Sequence, residues 1–266
     1  MIRNLYIDEY SEILKKIKQD IFQNVYLYID TKEYGFFYDD KIETLVIEED
    51  NQICIIVYRY YNSIQLFKIK DVCENSYVQI AEYILKNSIS MISGETEIVD
   101  KIIKNLPDSF KMFEGSILTY EKSIMSKPEI LSLAENKDVY EIAELICSDY
   151  NIGGHYSVEM LCDQLIDRMD NHNCRNLIVK KDSVIISHMG TYAEYDDIAV
   201  MGGLITLPKF RGQGYGSKVL FGLAKMVMDE GKIPIIYCYR DSLKEWYIKQ
   251  GWIVKAQCAK IENISS

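Results

Sequence analysis

The chain has 266 residues, of which 48% are hydrophobic and 26% charged, a composition typical of a globular protein with two modest domains or one large one. Its net charge of −10 disfavours a nucleic-acid-binding surface, which needs clustered Lys and Arg, and weakly favours cationic amines as ligands. The first ten residues do not resemble a signal sequence, and no apolar run is long enough to cross a bilayer. We therefore expect a cytoplasmic protein.

The seven cysteines are odd in number and include no C-x-x-C pair, which favours reduced thiols over a disulfide framework. The nearest approach to a metal-binding pattern is formed by Cys162, His172 and Cys174. Zinc sites need tighter pairing of their ligands, so we expect small buried thiols here and no metal.

The first 127 residues are predicted to form an α/β layer without a glycine-rich loop or a cluster of candidate catalytic residues. Stretches rich in β-branched and aromatic residues predict a hairpin near its centre. The expected elements are a helix at 11–23, hairpin strands at 53–61 and 64–69, a helix at 77–86, a strand at 88–92, a helix at 95–105 and a strand at 112–120.

A domain boundary is predicted at residue 127, because the polar segment 121–128 ends in Pro128 and precedes a new amphipathic pattern. We therefore expect one domain over residues 1–127 and another over residues 128–266. In the second, Asp138 and Glu141 have capping-box spacing, and Ser157 is a good helix N-cap. The other expected elements are hairpin strands at 177–180 and 184–192, a strand at 198–207, a helix ending at 231, a strand at 235–239, a helix at 242–251 and a strand from 252.

The most informative segment, residues 211–216, has the sequence RGQGYG and lies between an apolar strand and a helical stripe. Glycines leave backbone N–H groups unshielded, and a helix N-terminus adds partial positive charge, so the segment is typical of a phosphate cradle. Walker A spacing is absent. A dinucleotide-binding fold needs a further glycine and an acidic partner, for which Asp241 is thin support. A glycine-rich turn without a ligand is the third alternative.

At these residues the chain resembles the GNAT superfamily of acyl-CoA-dependent N-acyltransferases. Arg211, Gly214 and Gly216 match its signature Q/R-x-x-G-x-G/A. A second motif, Y-x-x-x-G-F/W, is matched by Tyr247 and Gly251 with the Trp that follows. The resemblance covers roughly residues 130–261 and implies an α/β (α+β) fold with a mixed, mostly antiparallel sheet flanked by helices.

The first half is similar, at its strand-to-helix step at 92–95, to the GNAT-like N-terminal half of certain two-domain bacterial acetyltransferases. Because it has no R-x-x-G-x-G motif, we expect this smaller α/β domain to be non-catalytic and not to bind CoA.

The resemblance implies that an acetyl group moves from acetyl-CoA to a primary amine by direct attack in a ternary complex. It implies that Tyr247 is the general acid that protonates the departing CoA thiolate, although plain core packing beside Leu243 is an alternative. A non-catalytic acyl-CoA-binding or sensing module is the alternative function. The implied donor-binding residues are Leu204, Ile205 and Thr206 for the pantetheine arm, and Arg211, Gly212, Gln213, Gly214, Tyr215, Gly216 and Ser217 for the pyrophosphate.

Several features of the reaction stay open at the level of sequence. Arg240 stands where many family members carry Asn, and we hypothesise that its charge contacts a CoA phosphate. The candidate general bases are Glu194, His188, His155 and Asp149, with water as the alternative. The acceptor is expected to be a small-molecule or peptide amine, with no nucleic acid or membrane as partner. The oligomeric state, a homodimer included, is not determined.

Overall fold

The computed structural model describes residues 2–37, 41–124, 130–149, 152, 157–171 and 174–264 of the chain. Contacts between Cα atoms divide it into two compact units. Unit 1 comprises Met1–Ile117, Cys238–Glu245 and Val254–Ser266, and unit 2 comprises Leu118–Tyr237 and Trp246–Ile253.

Unit 1 is built on a mixed sheet with strand order β1-β2-β3-β4-β5-β12-β6. Its only parallel pairing among the described registers joins β4 to β5. The strands are β1 (Ile2–Asn4), β2 (Ile42–Glu49), β3 (Gln52–Tyr60), β4 (Ser63–Lys68), β5 (Met91–Gly94), most of β6 (Phe110–Thr119) and most of β12 (Ile253–Asn263). The helices are α1 (Tyr10–Gln19), α2 (Val25–Glu33), α3 (Glu74–Lys86) and α4 (Thr96–Ile103). Apolar side chains of α3 and α4 form its core with those of the sheet.

Unit 2 has the strand order β11-β10-β9-β8-β7, antiparallel except where β10 meets β11. Its elements are β7 (Leu131–Leu133), α5 (Val139–Cys147), α6 (Val158–Asn171), β8 (Asn176–Lys181), β9 (Val184–Tyr195), β10 (Ile198–Thr206), α7 (Tyr215–Asp229), β11 (Ile233–Cys238) and the end of α8 (Asp241–Lys249). Ile178 packs with α5 and α6, whereas an added Cβ at Gly222 of α7 would lie 3.0 Å from Leu177. Because neighbouring strand residues point to opposite faces, the helices flank both faces of this sheet.

The described elements of residues 2–119 and 131–263 follow the same order, β-α-α-β-β-β-α-β-α-β. The last strand, β12, completes the sheet of unit 1, where Ala259 pairs with Gly94 and Ile261 with Ile92. The predicted fold class, a GNAT-type mixed and mostly antiparallel sheet after a smaller α/β part, is confirmed. The predicted boundary at 127 lies outside the described residues. The two units do not correspond to the chain divided once at residue 127, because β12 pairs with β5 and most of it therefore belongs to unit 1.

Most predicted elements of the first half are present within a few residues, and two kinds of error stand out. The helix predicted at 11–23 ends at Gln19, and α2 and β2 were not predicted. Helix α2 buries five of its nine residues, several of them consecutive, so its sequence lacks an amphipathic period.

In unit 2, the N-cap at Ser157 is confirmed, since its Oγ accepts a hydrogen bond from the N–H of Met160 at 3.1 Å. The capping box at Asp138 is wrong. The carboxylate of Asp138 accepts from the N–H of Glu135 and pairs with Lys180, while Glu141 accepts from the N–H of Ile185. The carboxylates of Asp138 and Glu141 thus bond to residues of β8 and β9, and the two do not form a capping box at the start of α5.

Candidate functional site

Strands β10 and β11 separate within unit 2. Their parallel register runs from Ile198 opposite Ile233 to Met201 opposite Ile236 and ends there. Strand β10 continues for five more residues to Thr206. Beyond Met201 this stretch therefore offers the edge on its β11 side to another extended chain.

A β-bulge sets the direction of the backbone groups on this stretch. The register with β9 shifts between Gly202 and Ile205, and Gly203 lies at φ +65°. The N–H of Leu207 donates to the carbonyl of Ile186 on β9 at 2.9 Å. By alternation along the strand, the backbone groups of Ile205 also face β9. Those of Thr206 then face the separated edge, whereas Leu204 lies within the bulge, where the regular alternation is interrupted.

The glycine-rich segment forms the entry to helix α7. Gly212 and Gly214 have φ values of +75° and +80°, which favour glycine, and Gly214 is the N-cap. A Cβ added at either would have no heavy atom within 4 Å. The first intrahelical bond runs from the N–H of Lys218 to the carbonyl of Gly214. The N–H groups of Tyr215, Gly216 and Ser217 have no acceptor within the helix, and they concentrate its positive end here.

Among the side chains of the same segment, those of Arg211 and Gln213 are exposed and that of Tyr215 is partly buried. The guanidinium of Arg211, 52% exposed, donates from Nε to the carbonyl of Thr206 at 2.9 Å and contacts Asp149 Oδ2 at 3.2 Å. Gln213 donates to the carbonyl of Lys209, and the Tyr215 ring packs edge-on against Phe210. Arg211 thus ties the loop to the end of β10, and the glycine backbone remains unobstructed.

The corresponding elements of unit 1, β4 and α3, have neither a long separated strand edge nor a glycine-rich helix start. Strand β4 pairs with β5 from Ser63 through Leu66, and only two residues of β4 extend past the register. Helix α3 begins after a segment without glycine, and the carboxylate of Glu49 accepts from the N–H of Cys73 at 3.1 Å and from Ser76 Oγ at 2.7 Å. These hydrogen bonds, the one from Ser76 foremost, lower the pKa of Glu49. The carboxylate of Glu49 therefore binds the N-terminus of α3 in unit 1, whereas the N-terminus of α7 in unit 2 is left open.

Tyr247 lies in an aromatic cluster of unit 2 and is 3% exposed. Its ring centroid is 5.2 Å from that of Trp246 and 5.9 Å from that of Trp252. Tyr120 contacts Trp252 at 5.7 Å and Phe221 of α7 at 5.3 Å. The cluster thus links the helix that the glycine segment opens to the helix that carries Tyr247.

A family model described as Acetyltransferase (GNAT) family matches residues 138–249, a range that includes both the glycine segment and Tyr247. Residues 138–249 belong to the GNAT family. No curated protein sequence matches the chain.

Solved structures of GNAT proteins share the fold at low sequence identity. A GCN5-related N-acetyltransferase from Sphaerobacter thermophilus is 12% identical, with 99% of this chain and 95% of that chain covered and a TM-score of 0.66. A GNAT-family acetyltransferase from Colwellia psychrerythraea is 11% identical over 99% of both chains, with a TM-score of 0.62. A tandem GNAT protein from the clavulanic acid biosynthesis pathway is 8% identical, covers 98% of this chain and 97% of its own, and has a TM-score of 0.56. The tandem arrangement is consistent with the repeated order of elements here.

The candidate bases of the GNAT region occupy very different surroundings. His155 lies outside the described residues. Asp149 contacts Arg211 at the glycine segment. Arg240, which is not a candidate base but stands where many family members carry Asn, is exposed. Glu194 has a side chain only 1% exposed and is held by Arg175 at 2.6 Å and Lys232 at 2.7 Å. Burial alone would raise the pKa of Glu194, but the hydrogen bonds from Arg175, Lys232 and Thr191 outweigh it, and the pKa is lowered.

We expect Glu194→Gln to lower the free energy of unfolding by about 3 kcal/mol at pH 7, because it breaks a buried ion-pair network. The pKa of Glu194 is lowered by folding, so this stabilisation is present above its ordinary pKa and is lost as the pH falls through the folded value. Urea unfolding at pH 7 and at acidic pH measures both effects. Asp229→Asn, which breaks only the exposed pair with Lys225, should cost less than about 0.5 kcal/mol. A variant of normal stability that has lost the base-dependent limb of the pH–rate profile would instead identify Glu194 as the base.

Among the described residues, no group of three or more His, Cys, Asp or Glu side chains is placed to hold a metal ion. Cys174 is buried, Cys162 is partly buried, and His172 lies outside the described residues. No helix in the described part of the chain is long and apolar enough to cross a membrane.

Proposed function

We propose that this protein is an N-acetyltransferase that moves an acetyl group from acetyl-CoA to a primary amine by direct attack in a ternary complex. The observation that carries the proposal is the open edge of β10 leading directly into the unobstructed N-terminus of α7. An extended, amide-bearing arm that ends in a pyrophosphate matches both parts of this surface. Acetyl-CoA has that chemistry.

The donor is held mainly by backbone groups. The pyrophosphate accepts hydrogen bonds from N–H groups of residues 212–217 at the positive end of α7, because the N–H of Arg211 already donates to the carbonyl of Pro208. The amides of the pantetheine arm pair with Leu204 and with the N–H of Thr206 along the separated edge of β10, because the carbonyl of Thr206 already accepts from Arg211. Ile205, whose backbone faces β9, contributes through its buried side chain, which packs with α5 and α6.

The transfer needs one hydrogen-bond donor to the oxyanion and one general acid for the departing thiolate. The amine nitrogen attacks the thioester carbonyl, and the N–H of Leu204 stabilises the negative charge that develops on its oxygen. The new C–N bond forms, the C–S bond breaks with its electron pair on sulfur, and Tyr247 donates its proton to the thiolate. The amine releases its proton to solvent, and solvent reprotonates Tyr247. A phenol keeps its proton at neutral pH, so Tyr247 is suited to this role.

Two features support further parts of the proposal. The net charge of −10 favours a cationic acceptor, either a small molecule or a peptide amine, over nucleic acid. All seven cysteines are free thiols, which is compatible with action in the cytoplasm.

The alternative function is a non-catalytic acyl-CoA-binding module. The burial of Tyr247 between two tryptophans favours it, because a packed ring needs no catalytic role. The two functions share the donor site and differ in turnover.

The test combines donor binding with release of the CoA thiol. Calorimetry with acetyl-CoA should give one site per chain, since Glu49 already occupies the N-terminus of α3 in unit 1. A panel of primary amines, including polyamines, amino acids and peptide N-termini, should give thiol release with at least one acceptor. Binding without release for the whole panel would favour the sensing module, and the absence of binding would contradict both functions.

A further inference from the structure

His188 is buried beside the bulge of β10 and has no role in the mechanism above. It lies on β9 opposite Ile205 and has an exposed fraction of 0%. Its Nδ1 is 3.0 Å from the carbonyl oxygen of Gly203, and its Nε2 is 2.8 Å from Oδ1 of the Asn176 carboxamide. Both ring nitrogens are therefore engaged, and the ring is held in one orientation.

The protonation state of this ring follows from its surroundings. Burial lowers the pKa of His188 to about 4, against a smaller opposing effect of the hydrogen bond with Gly203, so the imidazole is neutral at pH 7. A carbonyl oxygen only accepts, so Nδ1 carries the hydrogen and donates it to Gly203. Nε2 is then an acceptor. Asn176 faces it with Oδ1, which also accepts, so the carboxamide has to turn by about 180° and present its NH2 group there, a rotation that the backbone carbonyl of Gly203 cannot make.

The peptide between Gly203 and Leu204 is trans and planar, so its carbonyl and its N–H point in opposite directions. Since the carbonyl points at His188, the N–H of Leu204 points away from the imidazole. A Cβ at Gly203 would lie 2.8 Å from Tyr192 Oη and 3.3 Å from His188 Cε1. The two rings thus pack against this peptide from one side.

We propose that His188 is a positioning residue for acyl transfer: by donating from Nδ1 to the carbonyl of Gly203, it fixes the bulge peptide so that the N–H of Leu204 is aimed at the thioester carbonyl oxygen. The proposal rests on the proposed function. His188 itself does not reach the acceptor, because the described surroundings bury it completely. With its NH2 group turned to Nε2, Asn176 stabilises the tautomer that donates from Nδ1.

Two variants separate the hydrogen bond from the packing. His188→Leu fills the site without a donor, whereas His188→Asn places an amide NH2 near the position of Nδ1. In His188→Leu we expect kcat to fall on the order of tenfold to hundredfold, with the dissociation constant for acetyl-CoA within about threefold of wild type. His188→Asn should recover most of kcat. Thr119→Val, which removes another buried hydrogen bond to a carbonyl in unit 2, that of Pro234, is the matched control and should lower stability alone.

The decisive readout is the carbonyl stretch of bound acetyl-CoA carrying 13C at the thioester carbon. It should move to lower frequency in wild type, His188→Asn and Thr119→Val, and return towards the free value in His188→Leu. A shift unchanged in His188→Leu overturns the positioning role. A wild-type protein that binds acetyl-CoA without any shift or turnover contradicts the proposed function instead.

A measurement on wild type alone covers the case in which His188→Leu does not fold. Long-range 1H–15N spectra of the imidazole should show hydrogen on Nδ1 and none on Nε2 at pH 7. Hydrogen on Nε2 would remove the donor to Gly203 and overturn the proposal.

Discussion

Replacing Tyr247 by Phe is expected to lower kcat by about 100-fold or more while leaving the affinity for acetyl-CoA within about twofold of wild type. The substitution removes the proposed proton donor to the thiolate and keeps the ring that packs between Trp246 and Trp252. Thiol release with the best acceptor of the panel, together with calorimetric titration of acetyl-CoA, measures both quantities. Thermal unfolding should show at most a small loss of stability.

Tyr120→Phe is the matched control, because Tyr120 contacts the same Trp252 at a similar distance. It should retain kcat within about threefold. Equal turnover in the two variants would leave Tyr247 with a packing role only. An acetyl-CoA affinity that falls together with kcat would mean that the hydroxyl group supports the donor site and does not act in the chemical step.

Gly214→Val should weaken acetyl-CoA binding by about 10- to 100-fold. A β-branched residue at φ +80° is strained, and relief of the strain moves the N–H groups that open α7. The new side chain would also project into space with no heavy atom within 4 Å of its Cβ, on the surface proposed for the pyrophosphate. Calorimetric titration of acetyl-CoA against the folded variant measures the effect.

Gly231→Val separates strain from binding. Gly231 has φ +77°, equally open surroundings, and lies beyond the other end of α7. Both variants should lose a similar free energy of unfolding, about 1–2 kcal/mol, but only Gly214→Val should lose affinity. Equal affinity in the two variants would place the pyrophosphate away from the glycine segment.

The parts of the fold predicted well are those in which local chemistry decides the structure. The hairpin of β3 and β4 was expected from its β-branched residues, and α7 from its apolar stripe between Gly214 and Gly231. Helix α2 was missed because nearly continuous burial hides its period. Among the predicted site residues, the glycine segment lies at the helix N-terminus as expected, while the proposed roles of Tyr247 and of the donor-binding residues stay predictions.

Other properties depend on partners that are distant in the chain. The sequence offered Glu194 and His188 as equivalent candidate bases, yet Glu194 is neutralised by Arg175 and Lys232, and His188 is engaged with Gly203 and Asn176. No local pattern indicates such pairings, because burial and charge neutralisation arise only when separate strands come together.

The sequence by itself determined that residues 211–216 open a helix with an exposed, positively polarised backbone, since glycine spacing and the flanking strand and helix are local properties. Only the tertiary structure decided that β10 separates from β11 beyond Met201 and that a bulge between Gly202 and Ile205 interrupts its register with β9. It also decided that β12 pairs with β5 of unit 1 and that Glu49 caps α3. These features depend on strand registers and on residues far apart in the chain, which local propensity does not specify.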